Sequence, residues 1–315
     1  MNIPIITITR TPYLIENLAR LEVLRKDIHA LILPRQTELQ LRWDAHSLRT
    51  FYAFSLYDLS LQRNKVISYL SKNYTFTGTT PANVLLRYRQ ALLRVEYDWY
   101  ASNRKLDYDD FEELYKGIWP EAFPVSRKEF LEAVLFLEER ERDPVVLALL
   151  LFLFMYQYHI VTKSILPYAH LVFYLILVRS GWNFRGIVVF EEFFHRERVY
   201  YKKQLQKSIE SKSATGWLEY ATAGFIPVIE NLYAQYTIVA SPEGRPASFF
   251  HLTDRQKKIL LLLEEPQSVI SNKKVQQLCG VSQITASREL AKLVELGLLF
   301  PSGKGRSTIY IRTHI

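Results

Sequence analysis

A single cysteine, Cys279, stands in 315 residues, so an intrachain disulfide and a Cys-rich metal site are both excluded, and the chain suits a reducing compartment. Apolar runs long enough to span a bilayer are missing too. The two longest, residues 144–156 ("PVVLALLLFLFMY") and 166–178, fall short of the roughly 20 residues a membrane span needs, and Gln157, His159 and Lys163 separate them. Two buried helices of a bundle are expected instead. The opening "MNIPIITITRTPYL" has no basic lead, no long apolar stretch and no small-residue cleavage site, which points to a cytoplasmic protein. Internal repeats and low-complexity tracts are absent, and through residue 236 no stretch alternates with a strand period for long enough to demand a sheet.

What is present is a rich supply of core: 49% of residues are hydrophobic and 14% aromatic, enough for two domains. The first 236 residues read as successive helices with start signals. Thr11-Pro12 and Thr80-Pro81 each place a cap before a proline at the first helical position, and Ser126 with Glu129 forms a capping box. Residues 237–250 ("TIVASPEGRPASFF") cluster Pro242, Gly244 and Pro246 among small and polar residues, as a linker does.

Residues 251–315 carry ten Lys/Arg against five acids, a net +5 of the chain's +8, which is the footprint of a polyanion binder. Thr253 and Gln256 open one helix as a capping box. Ser271 caps a second, Gly280 supplies a turn, and Ser282 caps a third that ends near Gly297. At 100° per residue Ala286, Leu290, Leu293 and Val294 share an inward face, while Ile284, Ser287, Arg288, Ala291 and Lys292 point away. The tail "LLFPSGKGRSTIYIRT" reads as strand, Gly-rich tip, strand, with Lys304 and Arg306 at the tip. "SGKGRST" is not a phosphate-binding loop, because Gly305 separates lysine from hydroxyl and strands flank it. Three helices plus a β-hairpin make a winged helix-turn-helix, and this segment resembles bacterial winged-helix DNA-binding domains through Val281-Ser282, Thr285-Ala286, Arg288-Glu289-Leu290 and Gly297-Leu298-Leu299. The expected DNA contacts are Ser287, Arg288, Lys292, Lys304 and Arg306.

The rest of the chain resembles the Fic family, through "LPRQTELQLRWDAHSLRTFYAFSLYDLSL", "HIVTKSILPY" and "GWNFRGIVVFEEFFHRERVYYKKQLQ". The resemblance implies an all-α domain and, for typical members, transfer of AMP from ATP to a protein hydroxyl. The family's loop reads His-Pro-Phe-x-x-Gly-Asn-Gly-Arg-x-x-Arg after an outlying His and an Ile. Here His159 and Ile165 match the outlying pair, Leu166 stands where the catalytic His belongs, and Pro167 and Tyr168 stand for Pro-Phe. The chain then runs on with about seven residues fewer than the motif. Leucine cannot take a proton, and the acid, the Gly-Asn-Gly nest and both arginines are missing, so no metal, no nucleotide cofactor and no catalytic residue is expected. The inhibitory helix of the family is echoed only as residues 54–58, "FSLYD". His170, alone in an apolar helix, reads as a hydrogen-bonded core residue.

The expected architecture is mainly α: a Fic-like helical domain over 1–236 with its catalytic motif lost, a linker over 237–250, and a winged helix-turn-helix domain over 251–315. The expected function is a DNA-binding regulator, a homodimer on double-stranded DNA whose helical domain serves dimerisation, ligand sensing or docking of a protein partner. The competing expectations are a divergent AMP transferase and a protein-interaction module without DNA binding.

Overall fold

The computed structural model describes residues 7–31, 33, 35–57, 61–70, 80–240, 253–263, 268–295, 298–302 and 308–312. The molecule is mainly α. Its contacts divide it into two compact units, one of residues 1–30 with 46–232 and one of residues 31–45 with 233–315.

The first unit is built on α1 (Pro12–Ala30), the C-terminal part of α2 (Arg35–Ser55), α3 (Arg63–Leu70), α4 (Pro81–Trp99), α5 (Tyr108–Ile118), α6 (Arg127–Arg140), α7 (Pro144–Tyr156), α8 (Ile165–Arg179), α9 (Glu191–Arg196), α10 (Arg198–Ser211) and most of α11 (Thr215–Ala240). At its centre α7 packs along α8, with α4 and α6 against the pair. Every residue of α7 from Val145 to Tyr156 and of α8 from Ile165 to Val178 is buried. A helix apolar on all sides has no solvent face, so it must be enclosed by other helices. Among the described residues no helix is long and apolar enough to cross a membrane.

Local signals place the helix starts as the sequence leads one to expect. Thr80 Oγ1 accepts from Asn83 N, and the Ser126–Glu129 capping box closes in both directions. Asp143 accepts from Val145 N and Val146 N just before Pro144, whose missing N–H costs nothing at a first helical position. The N-terminal segment is tied down by a one-residue parallel bridge, Thr7 to Ser213. Thr7 N donates to Lys212 O (2.9 Å) and Ala214 N to Thr7 O (3.0 Å).

Helix α11 passes through Pro227 and continues to Ala240, so residues 237–240 of the expected linker are helical, and 241–250 lie outside the described residues. The β-branched run Thr237-Ile238-Val239 lowers helix propensity by only a few tenths of a kcal/mol per residue, too little to stop a helix already propagating.

The second unit has α12 (Asp254–Leu262), β1 (Ile270–Ser271), α13 (Asn272–Cys279), α14 (Gln283–Glu295), β2 (Leu299–Ser302) and β3 (Ile309–Arg312). Strand β3 lies between the other two and is antiparallel to both, in register Ile270 with Tyr310 and Phe300 with Ile311. The sequence reading expects the hairpin but not β1, a two-residue strand too short to carry an alternation. Ile259, Leu260, Leu263, Ile270, Val275, Ala286, Leu290, Leu293 and Leu299 form the core of this unit. Gly280 holds φ +63°, a left-handed conformation glycine adopts without strain, and this turns the chain from α13 to α14.

Candidate functional site

The first candidate lies where α7 hands over to α8. A 3-10 turn, Gln157–Ile160, follows α7. His159 Nδ1 donates to Tyr156 O (2.8 Å) and its ring stacks on Tyr156 (centroids 4.6 Å, 25°), so the outlying histidine is held locally. Residues 161–164 lead directly into α8. Leu166 packs at 7% exposure in the first turn of α8, where it offers neither a proton acceptor nor a donor. Pro167 O accepts from Tyr88 OH (3.1 Å), and the buried Tyr168 OH donates to Phe111 O (2.6 Å). Two tyrosines thus clamp the turn that holds Leu166, Pro167 and Tyr168.

Nucleotide and metal do not fit these residues. Residues 161–168 contain no glycine and no acid, so this segment supplies neither a backbone nest for phosphates nor a carboxylate of its own for a metal. Among the described residues no three His, Cys, Asp or Glu side chains converge in a way that could hold a metal ion.

Beside this turn opens a cavity of about 560 Å³. Phe54, Tyr57, Val84, Leu85, Trp119 and Pro167 supply its apolar wall, and Glu121, Thr162, Lys163 and Ser164 its polar end. Phe54 and Tyr57 belong to the stretch 54–58, of which Asp58 lies outside the described residues. At the polar end Ser164 Oγ donates to Glu121 Oε2 (3.2 Å), Thr162 Oγ1 stands 3.5 Å from the same oxygen, and Tyr115 OH meets Ser164 Oγ at 2.5 Å. Burial raises the pKa of Tyr115, which therefore keeps its proton. Nothing in the spacing of Tyr115, Glu121 and Ser164 marks them as a group; the turn after α5 brings them together.

Behind the cavity wall Tyr57 OH hydrogen-bonds to Tyr201 OH and lies 3.0 Å from His170 Nε2. His170 is fully buried, and burial pushes its pKa down to about 3. It is a neutral core histidine. A second buried network joins α2, α4, α8 and α9. Arg49 donates to Val188 O (2.7 Å), lies 3.7 Å over the Tyr174 ring and pairs with Glu191 at 3.6 Å. His46 Nε2 stands 3.0 Å from Glu96 Oε1, which also accepts from Tyr174 OH. Burial alone would raise the pKa of Glu96, but the hydrogen bond and charge of His46, with Tyr174 and Arg49, bring it to about 2. Burial raises the pKa of Glu191, and Arg49 offsets part of the rise.

The second candidate is the outer face of α14. Ala286, Leu290 and Leu293 are buried and Val294 partly so, while Ile284, Ser287, Arg288, Ala291 and Lys292 are exposed. Ser287 Oγ accepts from Asn272 Nδ2 (2.7 Å), and the same amide reaches Gln283 O (3.2 Å), fixing α13 against α14. On the inner side Glu289 accepts from Gln256 Nε2 (2.8 Å) and pairs with Arg255 Nε at 3.2 Å, so its charge is met by α12. Lys304 and Arg306 lie outside the described residues.

No family model matches the sequence, and no curated protein matches it. The fold does find relatives. A crystal structure of a Fic family protein from Desulfovibrio desulfuricans G20 superposes with a TM-score of 0.58 at 14% identity, covering 97% of each chain. The fold is therefore Fic-like along nearly the whole length.

Proposed function

We propose that this protein is a DNA-binding transcriptional regulator of the cytoplasm, in which a Fic-like body has given up AMP transfer and serves as a platform for dimerisation, ligand or partner docking. The observation that carries the reading is the division of α14 into a packed face and an exposed face bearing Arg288, Lys292 and Ile284. On this reading the second unit is a winged helix-turn-helix: α13 and α14 are the helix-turn-helix pair, α14 enters the major groove, and β2 and β3 form the wing with Lys304 and Arg306 between them. Arg288 suits guanine O6 and N7, and Ile284, 67% exposed one turn earlier, offers apolar surface to a thymine methyl group. Lys292 and the two wing residues suit phosphates. Ser287, held by Asn272, serves to set the angle between the helices and carries less of the readout.

The loss of transfer chemistry is supported by Leu166, buried and inert at the position of the catalytic base, and by the absence of any glycine nest in residues 161–168. Selection of bound fragments from random DNA tests the assignment. One enriched motif is expected, as an inverted repeat with half-sites about one helical turn apart for a two-fold dimer. If no motif is enriched, the winged-helix unit is a protein-docking module instead. Label passing from ATP to this or any co-purified protein would restore the enzyme reading.

A further inference from the structure

The cavity at the start of α8 has a directional polar end. An ionised carboxylate only accepts hydrogen bonds, so the hydroxyls beside Glu121 must donate to it. Ser164 has a single proton and directs it to Glu121 Oε2 (3.2 Å), and it therefore accepts from Tyr115 at 2.5 Å. Thr162 Oγ1 lies 2.8 Å from Ser164 Oγ and 3.5 Å from the same carboxylate oxygen. Three hydroxyls are thereby oriented around one anion. Ser164 is thus occupied by Tyr115, Thr162 and Glu121 together, and the acceptor that the polar end presents to the cavity is the other oxygen of Glu121. The opposite walls are aromatic and apolar, with Phe54, Tyr57, Trp119 and Pro167. A volume of about 560 Å³ suits a small organic molecule rather than a peptide chain.

The geometry points to a binding site for a small aromatic amine, its ring against the apolar wall and its ammonium on Glu121. The inference rests on the reading of the helical body as a ligand platform and not on DNA binding. Aromatic faces favour a cation and disfavour an anion, and an acidic ligand would meet the Glu121 carboxylate. Lys163 lines the same end and, like Glu121, is exposed, but its long flexible stem can turn to solvent whereas Glu121 is tied to Ser164. It should weaken binding of an amine only modestly.

Calorimetric titration of the full-length protein with tryptamine, indole and indole-3-acetate tests this, since the three share a ring and differ in charge. Tryptamine is expected to bind at least about tenfold more tightly than indole-3-acetate, with indole between, as one charge-assisted hydrogen bond gained against one charge repelled predicts. Glu121→Gln should cost tryptamine about tenfold and leave indole unchanged. Lys163→Gln should strengthen tryptamine binding slightly, and Val84→Phe, which fills the cavity, should weaken all three. Circular dichroism melts confirm that the variants fold. Saturable binding by none of the three at millimolar concentration overturns the inference. So does indole-3-acetate binding as tightly as tryptamine, or an affinity for tryptamine that Glu121→Gln leaves unchanged. The fragment selection on DNA is unaffected by any of these results, so the two readings fail separately.

Discussion

The two units spend their polar side chains in opposite ways. In the helical body Arg49, Glu191, His46 and His170 are nearly or wholly sealed from water, and their partners come from other elements of the body. Among the described residues of the C-terminal unit, Glu289 meets Gln256 and Arg255 on the inner side of α14, and Arg288 and Lys292 are exposed. Buried ion pairs add little net stability, because desolvation cancels most of their attraction, yet breaking one leaves a charge stranded. An exposed cation keeps most of its hydration and so costs little to hold. The body thus places its charges between packed elements, whereas α14 leaves Arg288 and Lys292 on its exposed face.

The largest test of that contrast is Arg49→Met. It strands Glu191, so a loss of about 3–5 kcal/mol is expected in urea denaturation at neutral pH. The loss should shrink in mild acid. The pKa of Glu191 is already raised by burial and rises further without Arg49, so the group can take a proton and shed its charge. A loss below about 1 kcal/mol, the size of a surface pair, would erase the distinction between the units.

Next in size is the pH dependence set by His170. Its pKa is about 3 in the folded protein, below the ordinary 6.5, so the unfolded chain binds the proton first. The stability it contributes is fully present above about pH 6.5 and drains by about 1.4 kcal/mol per unit as the pH falls toward 3. Tyr57 and Tyr201 face its Nε2, and Phe152 and Phe194 pack on its ring. His46, also lowered by burial, adds a slope of the same sign. His170→Phe should remove one proton's worth of slope, about 2 kcal/mol between pH 6.5 and 5, and leave the share of His46. Parallel curves for the two proteins would mean that His170 is not held neutral.

On the other side of the comparison, Arg288→Ala should leave thermal stability unchanged and cost about 1–3 kcal/mol on the preferred DNA site, with much less on random duplex. Titrations on both DNAs at several salt concentrations read it. An equal loss on both would move Arg288 from base contact to phosphate contact. The smallest expected effect is Ser126→Ala, which removes one side of a solvent-exposed capping box and should cost about 1 kcal/mol in the melt without touching either site.

The helix starts were legible because a cap is decided within four residues. Thr80, Ser126, Thr253, Ser271 and Ser282 all cap as their neighbours predict. The packed and exposed faces of α14 were legible for a similar reason, since a period of 3.6 residues sorts side chains before any partner is known. Strand β1 was not, because two residues become a strand only when β3 lies alongside. The end of α11 was missed because the turn-forming residues begin only at Pro242, after the helix has already run through Thr237-Ile238-Val239.

By itself, then, the sequence determined what local rules decide: a mainly helical chain, two central helices apolar on every side, and a basic C-terminal unit with one outward helix face. Only the tertiary structure decided which distant residues meet. Arg49 finds Glu191 across 142 positions and Tyr115 finds Ser164 across 49. Neither pair has a spacing that any local period could encode. Their meeting follows from how α2, α5, α8 and α9 pack, because the free energy that closes those contacts comes from burying whole helix faces rather than from the side chains that end up in the site.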